Sequence, residues 1–385
     1  MSAPLVLLAA GGTGGHLFPA EALATALGRL GVRVALATDG RVEKIAGTFP
    51  AEHVLAIPSA TPSGGSPLSK AVAAVHLARG VLASLRLLRT MRPACAVGFG
   101  GYPTVPPLFA AATLGIPTLI HEQNGVLGRA NRFLLGRVSA VATGFASVAG
   151  IPDRLAGRTY HTGNPVRPAV LAAAGAPWTE PEPGGTLRVL AFGGSQGARV
   201  MSEVVPAALA LLPPDDRARI AVVQQARAED LPGVREAYAT AAMPAEVAPF
   251  FADLPARIAS AHLVIGRSGA STVAELAAIG RPSILVPLPG ALDQDQAANA
   301  RSLEAVGAAT VIAQPEFTPA RLAAEIAARL ADPASLTAAA AAAKSAGTLD
   351  AAERLAALVM SLAKIDVPPL PVQRGEVERR EASTG

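Results

Sequence analysis

An α/β fold of two Rossmann-like domains, their parallel sheets facing across a cleft, is what this sequence predicts, on three observations. Short apolar runs alternate with helical patterns through almost all of the 385 residues. Two glycine-rich turns, Gly11-Gly12-Thr13-Gly14-Gly15-His16 and Gly193-Gly194-Ser195-Gln196-Gly197-Ala198-Arg199, each follow an apolar run and open a helical pattern. Such turns aim backbone N–H groups and a helix N-terminus at whatever lies above the strand. Between them the stretch 175–185 is too rich in Pro and Gly for an element interior, and it divides the chain into two pieces of domain size.

In the first piece the apolar runs 5–9, 32–37, 53–57, 94–98, 118–121 and 140–143 read as strands, with helical stretches such as 19–30 and 68–91 between them. Continuous apolar strands joined by helices mean a parallel sheet covered on both faces. The second piece repeats the rhythm with strands at 187–192, 220–223, 246–250, 263–266, 283–286 and 309–312. The Ala-rich run 338–343 sits in a helical context, and 349–363 reads as a final helix. The expected organisation is a first domain 1–163, a crossover and linker 164–186 and a second domain 187–363. The last helix is a candidate to pack back on the first domain, and the tail 364–385, with Pro368-Pro369 and mixed charge, is expected to be disordered.

Composition narrows the class. With 51% apolar and 16% charged residues the chain has material for two ordinary cores. The single cysteine, Cys95, has no intrachain disulfide partner and reads as a small buried hydrophobe. The N-terminus lacks the basic flank of a signal peptide, and no apolar run reaches the roughly 18 residues of a membrane span, so a cytoplasmic protein is expected. The net charge of +4 conceals an asymmetry: residues 1–163 hold 14 Lys/Arg against 6 Asp/Glu, the remainder 19 against 23. The basic half should face an anionic partner, and only 4% aromatic residues to stack on bases argues for a phosphorylated substrate or a membrane surface over nucleic acid.

The turns that follow the strands carry the chemistry. The first is GGTGGH and not GxGxxG, and the nearest acidic residue for a ribose is Asp39, which speaks against a dehydrogenase. Residues 98–103 (GFGGYP), 121–125 (HEQNG), 267–275 (RSGASTVAE) and 293–299 (DQDQAAN) converge with the glycine turns at the carboxyl ends of the strands. Phosphate-seeking amides and sugar-seeking carboxylates and amides would thus line one cleft. No His/Cys/Asp cluster has ligand spacing, so neither a metal nor a cofactor is expected.

Taken in order, GGTGGH, GFGGYPT, HEQNG, GNPVR (163–167), GGSQGAR, RSGAST with Glu275, and DQAAN closely resemble the MurG family of bacterial cell-wall glycosyltransferases. The match runs over roughly residues 5–363. It implies a GT-B fold and inverting transfer of N-acetylglucosamine from UDP-N-acetylglucosamine to the lipid-linked muramoyl-pentapeptide lipid I. Catalysis would occur at the cytoplasmic face of the inner membrane, on an anionic surface and with other cell-wall enzymes as possible partners. The second domain would hold the nucleotide-sugar and the first the acceptor.

Carried over residue by residue, Ala270, Ser271 and Thr272, with Val273 and Ala274 in the same run, would approach the pyrophosphate and ribose, and Glu275 would accept bonds from the ribose hydroxyls. Phe251 would lie by the uracil, and Ser195 would bind a phosphate beside Thr13, Gly14 and Gly15. Gln296 and Asn124 would hold the sugar. Arg167 would offset charge on the departing UDP. Inverting transfer needs a base beside the acceptor hydroxyl. His16 is preferred for that role and Glu122 is its rival, while His121 braces the turn. The chain departs from the family pattern at Gln224-Gln225-Ala226-Arg227 and around Asp295. A 2-epimerase would share the nucleotide site, and a catalytically dead sensor would have lost His16, Glu122 or Glu275; all three are present, as are the acceptor-side turns.

Overall fold

The structure, a computed structural model, describes residues 3–11, 14–39, 49–59, 67–194, 197–290 and 295–366. The first domain is built on β1 (Leu5–Ala9), β2 (Arg33–Thr38), β3 (His53–Ala56), β4 (Cys95–Gly98), β5 (Thr118–Glu122), β6 (Ala140–Thr143) and β7 (Thr159–His161). Their order is β3-β2-β1-β4-β5-β6-β7, with every pair parallel. The second domain uses β8 (Leu187–Phe192), β9 (Ile220–Gln225), β10 (Ala245–Ala248), β11 (Leu263–Gly266), β12 (Ser283–Leu285) and β13 (Ala309–Val311). Their order, β10-β9-β8-β11-β12-β13, repeats the same winding, again all parallel.

Each sheet reverses its strand order beside its first strand, between β1 and β4 and between β8 and β11. Ligands of such sheets sit outside the carboxyl ends at that switch point. The two glycine turns follow β1 and β8, so the winding alone places both at switch points. The strand β7 is absent from the sequence reading because Thr-Tyr-His is a short, half-exposed edge with no apolar run. The helix Gly14–Arg29 begins five residues before the expected start at Pro19. Pro19 removes only the bond to the carbonyl of Gly15, an exposed residue at the cleft, so the first turn forms ahead of it.

The connection between the domains is strapped down. The helix Pro168–Ala174 buries Val170 and Ala174 in the second core, and Trp178 donates its indole N–H to Thr337 Oγ1 at 3.1 Å. The helix Ala351–Ala363 returns to the first domain, where Leu355, Val359 and Met360 join Leu23 and Leu27, and Glu353 pairs with Arg29 at 2.9 Å. The chain therefore crosses between domains twice. At the crossings Gly163, with φ of +81°, leaves no room for a Cβ, which would lie 2.7 Å from Thr348. Cys95 is buried, and burial pushes its thiol up to about 12. Among the described residues no helix is long and apolar enough to cross a membrane, and no three His/Cys/Asp/Glu form a metal cluster.

Candidate active site

A cleft of about 630 Å³ opens between the carboxyl edges of the two sheets. Its second-domain wall is the N-terminus of the helix Ala270–Ile279. The residue before it, Gly269, has no side chain to cap the first turn, so the free N–H groups face the cleft. The other end of the helix is closed. Gly280 turns left-handed, Arg281 donates to the carbonyls of Ile279 and Gly280, and Lys344 donates to Ala278 at 2.9 Å. Cations at the C-terminus and open amides at the N-terminus favour an anion in the cleft.

Helical periodicity sorts the expected donor contacts. Ala270, Ser271, Thr272 and Glu275 line the cleft. Val273 is buried in the core, and Ala274 lines a separate recess behind the helix, so these two side chains turn away from it. The 3.6-residue period turns these two side chains out of the cleft, which a contiguous motif does not reveal.

Glu275 is buried, and its Oε1 accepts from Arg167 at 3.2 Å. Burial raises its carboxyl above the ordinary value while Arg167 opposes the shift. The guanidinium of Arg167 stacks on the ring of Phe18 at 3.9 Å, and its Nε is buried with no hydrogen-bond partner among the described residues. Glu21, on the same helix as Phe18, is also raised by burial and opposed by Arg167. One cation thus joins the two domains at the cleft.

The far end of the cleft is aromatic. Phe250 is 68% exposed, whereas Phe251 is 7% exposed with Arg257 over its face at 4.2 Å. Both line the wall, but the open ring belongs to Phe250. Gln225, part of the departure from the family pattern, accepts from Gly193 N and donates to Pro249 O, both at 3.2 Å, tying the glycine turn to this aromatic loop. Gly193 has no alternative there, since a Cβ would meet Ala198 N at 2.2 Å. Arg267, buried in the same wall, donates to Val286 O, Pro287 O and Gln314 Oε1. Gln296 lines the cleft with its Oε1 accepting from Leu288 N at 3.0 Å. Asp295 opens the same helix, its carboxylate accepting from Gln296 N. Thr13 and Ser195 lie outside the described residues.

On the first-domain side Gly14, Gly15 and Phe18 line the cleft, and His16, in the same helical turn, is not among the lining residues. The imidazole fits because its neighbours lack side chains: a Cβ on Gly11 would lie 3.3 Å from Nδ1, and one on Gly100 3.2 Å from Nε2. Glu122 is 2% exposed. Its Oε1 accepts from the backbone and side chain of Asn124 at 3.0 and 3.2 Å, its Oε2 from Gly128 N and Asn131 Nδ2 at 2.9 and 2.8 Å. Burial raises this carboxyl above its ordinary value, and the four donors offset part of the rise. The expectation of Glu122 as a rival base meets a group with both oxygens occupied in shaping the turn. His121 is fully buried, bonded to Gly163 O and Gln123, and burial holds it neutral with a pKa lowered to about 4. Asn124 does not line the cleft; its Oδ1 accepts from Asn299 across the domain interface at 3.1 Å.

Residues 6–143 match the Glycosyltransferase family 28 N-terminal domain and residues 188–355 the family's C-terminal domain. The chain belongs to glycosyltransferase family 28. Within it, a protein of Methylobacterium sp. (strain 4-46) is 63% identical over 361 residues, 94% of this chain and 97% of that protein. A protein of Rhodopseudomonas palustris (strain BisB18) is 57% identical over 94% of this chain and 97% of its own. Both are named UDP-N-acetylglucosamine–N-acetylmuramyl-(pentapeptide) pyrophosphoryl-undecaprenol N-acetylglucosamine transferase. The crystal structure of Acinetobacter baumannii MurG superposes with a TM-score of 0.76 at 27% identity, covering 93% of this chain and 99% of that one. A putative UDP-N-acetylglucosamine 2-epimerase of Listeria monocytogenes shares the GT-B fold with a TM-score of 0.64 at 16% identity, covering 95% of this chain and 98% of that one. The family 28 fold therefore carries the two-domain cleft of this chain. Sequence reading passed over Phe18, which no motif marks, and Gln225, Arg267 and Asn299, which stand inside or beside quoted motifs but reveal their partners only in space.

Proposed function

We propose that this family 28 chain transfers N-acetylglucosamine from UDP-N-acetylglucosamine to the muramoyl 4-hydroxyl of undecaprenyl-pyrophosphoryl-muramoyl-pentapeptide, with inversion at the sugar C1. The observation that carries this reading is 63% identity, across nearly the whole of both chains, to a relative named for that transfer. The cleft agrees with it chemically. The diphosphate would meet the open N-terminus of the Ala270–Ile279 helix and the glycine turn after β8, and Glu275 would take the ribose diol. His16 would accept the acceptor proton as the hydroxyl oxygen bonds to C1. The C1–oxygen bond to UDP breaks with its electron pair going to the leaving diphosphate, where Arg167 and the helix amides would offset the charge. Glu122 would position Asn124 and Asn131 without touching substrate.

A transfer assay with radiolabelled UDP-N-acetylglucosamine, a lipid I analogue and a soluble sugar acceptor in parallel tests the reading. Label is expected in the muramoyl-linked product with release of UDP. Label only in the soluble acceptor, or only an epimerised donor, would replace it with another activity on the same fold.

A lipid-linked acceptor brings the enzyme to the membrane, as a peripheral protein at the cytoplasmic face. The helix Pro67–Met91 offers a docking surface, for Val72, Val75 and Leu82 are each more than half exposed, with Arg79, Arg86 and Arg89 exposed between and beyond them. Gly80 marks the opposite, inward face, where a Cβ would meet Pro58 O at 2.1 Å. Leu85 packs on the first-domain core, and the side chain of Lys70 lies outside the described residues. Basic residues near an anionic surface contribute about 1 kcal/mol each. Reversing Arg86 and Arg89 to Glu is therefore expected to weaken binding to anionic vesicles at low salt by about 30-fold or more. Turnover of lipid-anchored acceptor should fall while a short-chain soluble analogue is spared. Equal sedimentation with vesicles by variant and wild type would exclude this helix as the surface.

A further inference from the structure

The fully buried Asn299, on the helix Asp295–Glu304, is a point at which the first-domain turn after β5 meets the second domain. Its Oδ1 accepts from Gly125 N at 2.8 Å, and its Nδ2 donates to Asn124 Oδ1 at 3.1 Å and to Ser268 O at 3.2 Å. Two of these partners belong to the first-domain turn after β5. The third opens the turn that leads through Gly269 into the anion-facing helix. One turn upstream on Asn299's own helix stands Gln296, in the cleft wall, whose carbonyl accepts from Ser268 Oγ at 2.8 Å. The first-domain turn lies hard against this helix, because a Cβ on Gly125 would lie 3.1 Å from that of Ala298. Asn124 is thus gripped from both sides, its Nδ2 by Glu122 and its Oδ1 by Asn299.

We propose that Asn299 is a positioning residue that fixes the donor sugar relative to the acceptor domain, by holding the Asn124 amide and the Ser268 turn in one register. This deepens the proposed transfer and rests on it. Asn124 and Ser268 lie on turns of different domains and Gln296 on the first turn of a helix, and among the described residues no strand pairing joins the two sheets. A planar amide with one acceptor and two donors matches the one N–H and two oxygens presented to it, whereas any residue without both functions leaves a buried group unpaired.

The test is calorimetry on the full chain with UDP and with UDP-N-acetylglucosamine, since UDP reports the nucleotide half alone. Asn299→Asp keeps the shape and the acceptor for Gly125 but sets an oxygen against Asn124 Oδ1 and Ser268 O. It is expected to leave the Kd of UDP within about twofold of wild type, to raise that of UDP-N-acetylglucosamine about tenfold, and to lower kcat with it. Asn299→Ala, which removes the amide without adding a repelling oxygen, should show the same split at smaller size. Retained UDP binding reports a folded second domain in both variants. Parallel loss of both ligands, or no loss of either, would overturn the proposal. Failure of the wild-type chain to bind UDP-N-acetylglucosamine would instead remove the transfer reading beneath it.

Discussion

His16→Ala is expected to lower kcat by about 10² to 10⁴ while leaving UDP-N-acetylglucosamine affinity nearly unchanged. The imidazole packs against Gly11 and Gly100 in the first domain and is not among the side chains that line the cleft opposite the helix Ala270–Ile279. Under the proposed mechanism its loss would remove the proton acceptor and leave the nucleotide wall intact. Steady-state transfer kinetics combined with calorimetry of donor binding separate the two effects. A fall in donor affinity equal to the fall in kcat would show that His16 binds the donor instead of accepting the proton.

Glu122→Ala should act mainly through folding. It leaves two backbone N–H groups and the amides of Asn124 and Asn131 without the carboxylate that gathers them, at about 2 to 4 kcal/mol. Thermal unfolding should shift down by several degrees, and kcat should fall as Asn124 loses its anchor. Glu122→Gln keeps one accepting oxygen but turns an NH₂ toward donors, so it should be intermediate in unfolding temperature. An unchanged unfolding temperature with a loss of kcat as large as that of His16→Ala would return Glu122 to the role of base.

Much of this arrangement is legible in the sequence because it is local. The strands β1, β6, β8 and β11 fall at the residues their apolar runs mark, since a strand buried on both faces has no choice but a continuous apolar run. The convergence of the glycine turns follows from parallel winding, which sends every strand-to-helix turn to one edge. The resemblance of seven ordered motifs foretold the family, which the matches to both family 28 domains then established.

What depends on residues far apart in the chain was not legible. A contiguous motif, 270–275, carries no record of which side chains a helix turns inward, and only the fold shows that those of Val273 and Ala274 do not line the cleft. The ion pair of Arg167 with Glu275 spans 108 residues, and the clasp of Asn299 on Asn124 spans 175. Glu122 looked like a catalytic acid or base from its place at a strand end, and only the fold revealed four donors converging on it. Periodicity and turn chemistry, written in neighbouring residues, determined the two domains and the edge where the site lies. Pairing between the domains, which depends on how the crossings at 163–167 and 347–350 set one sheet against the other, decided which polar groups face the cleft and which are spent in holding it.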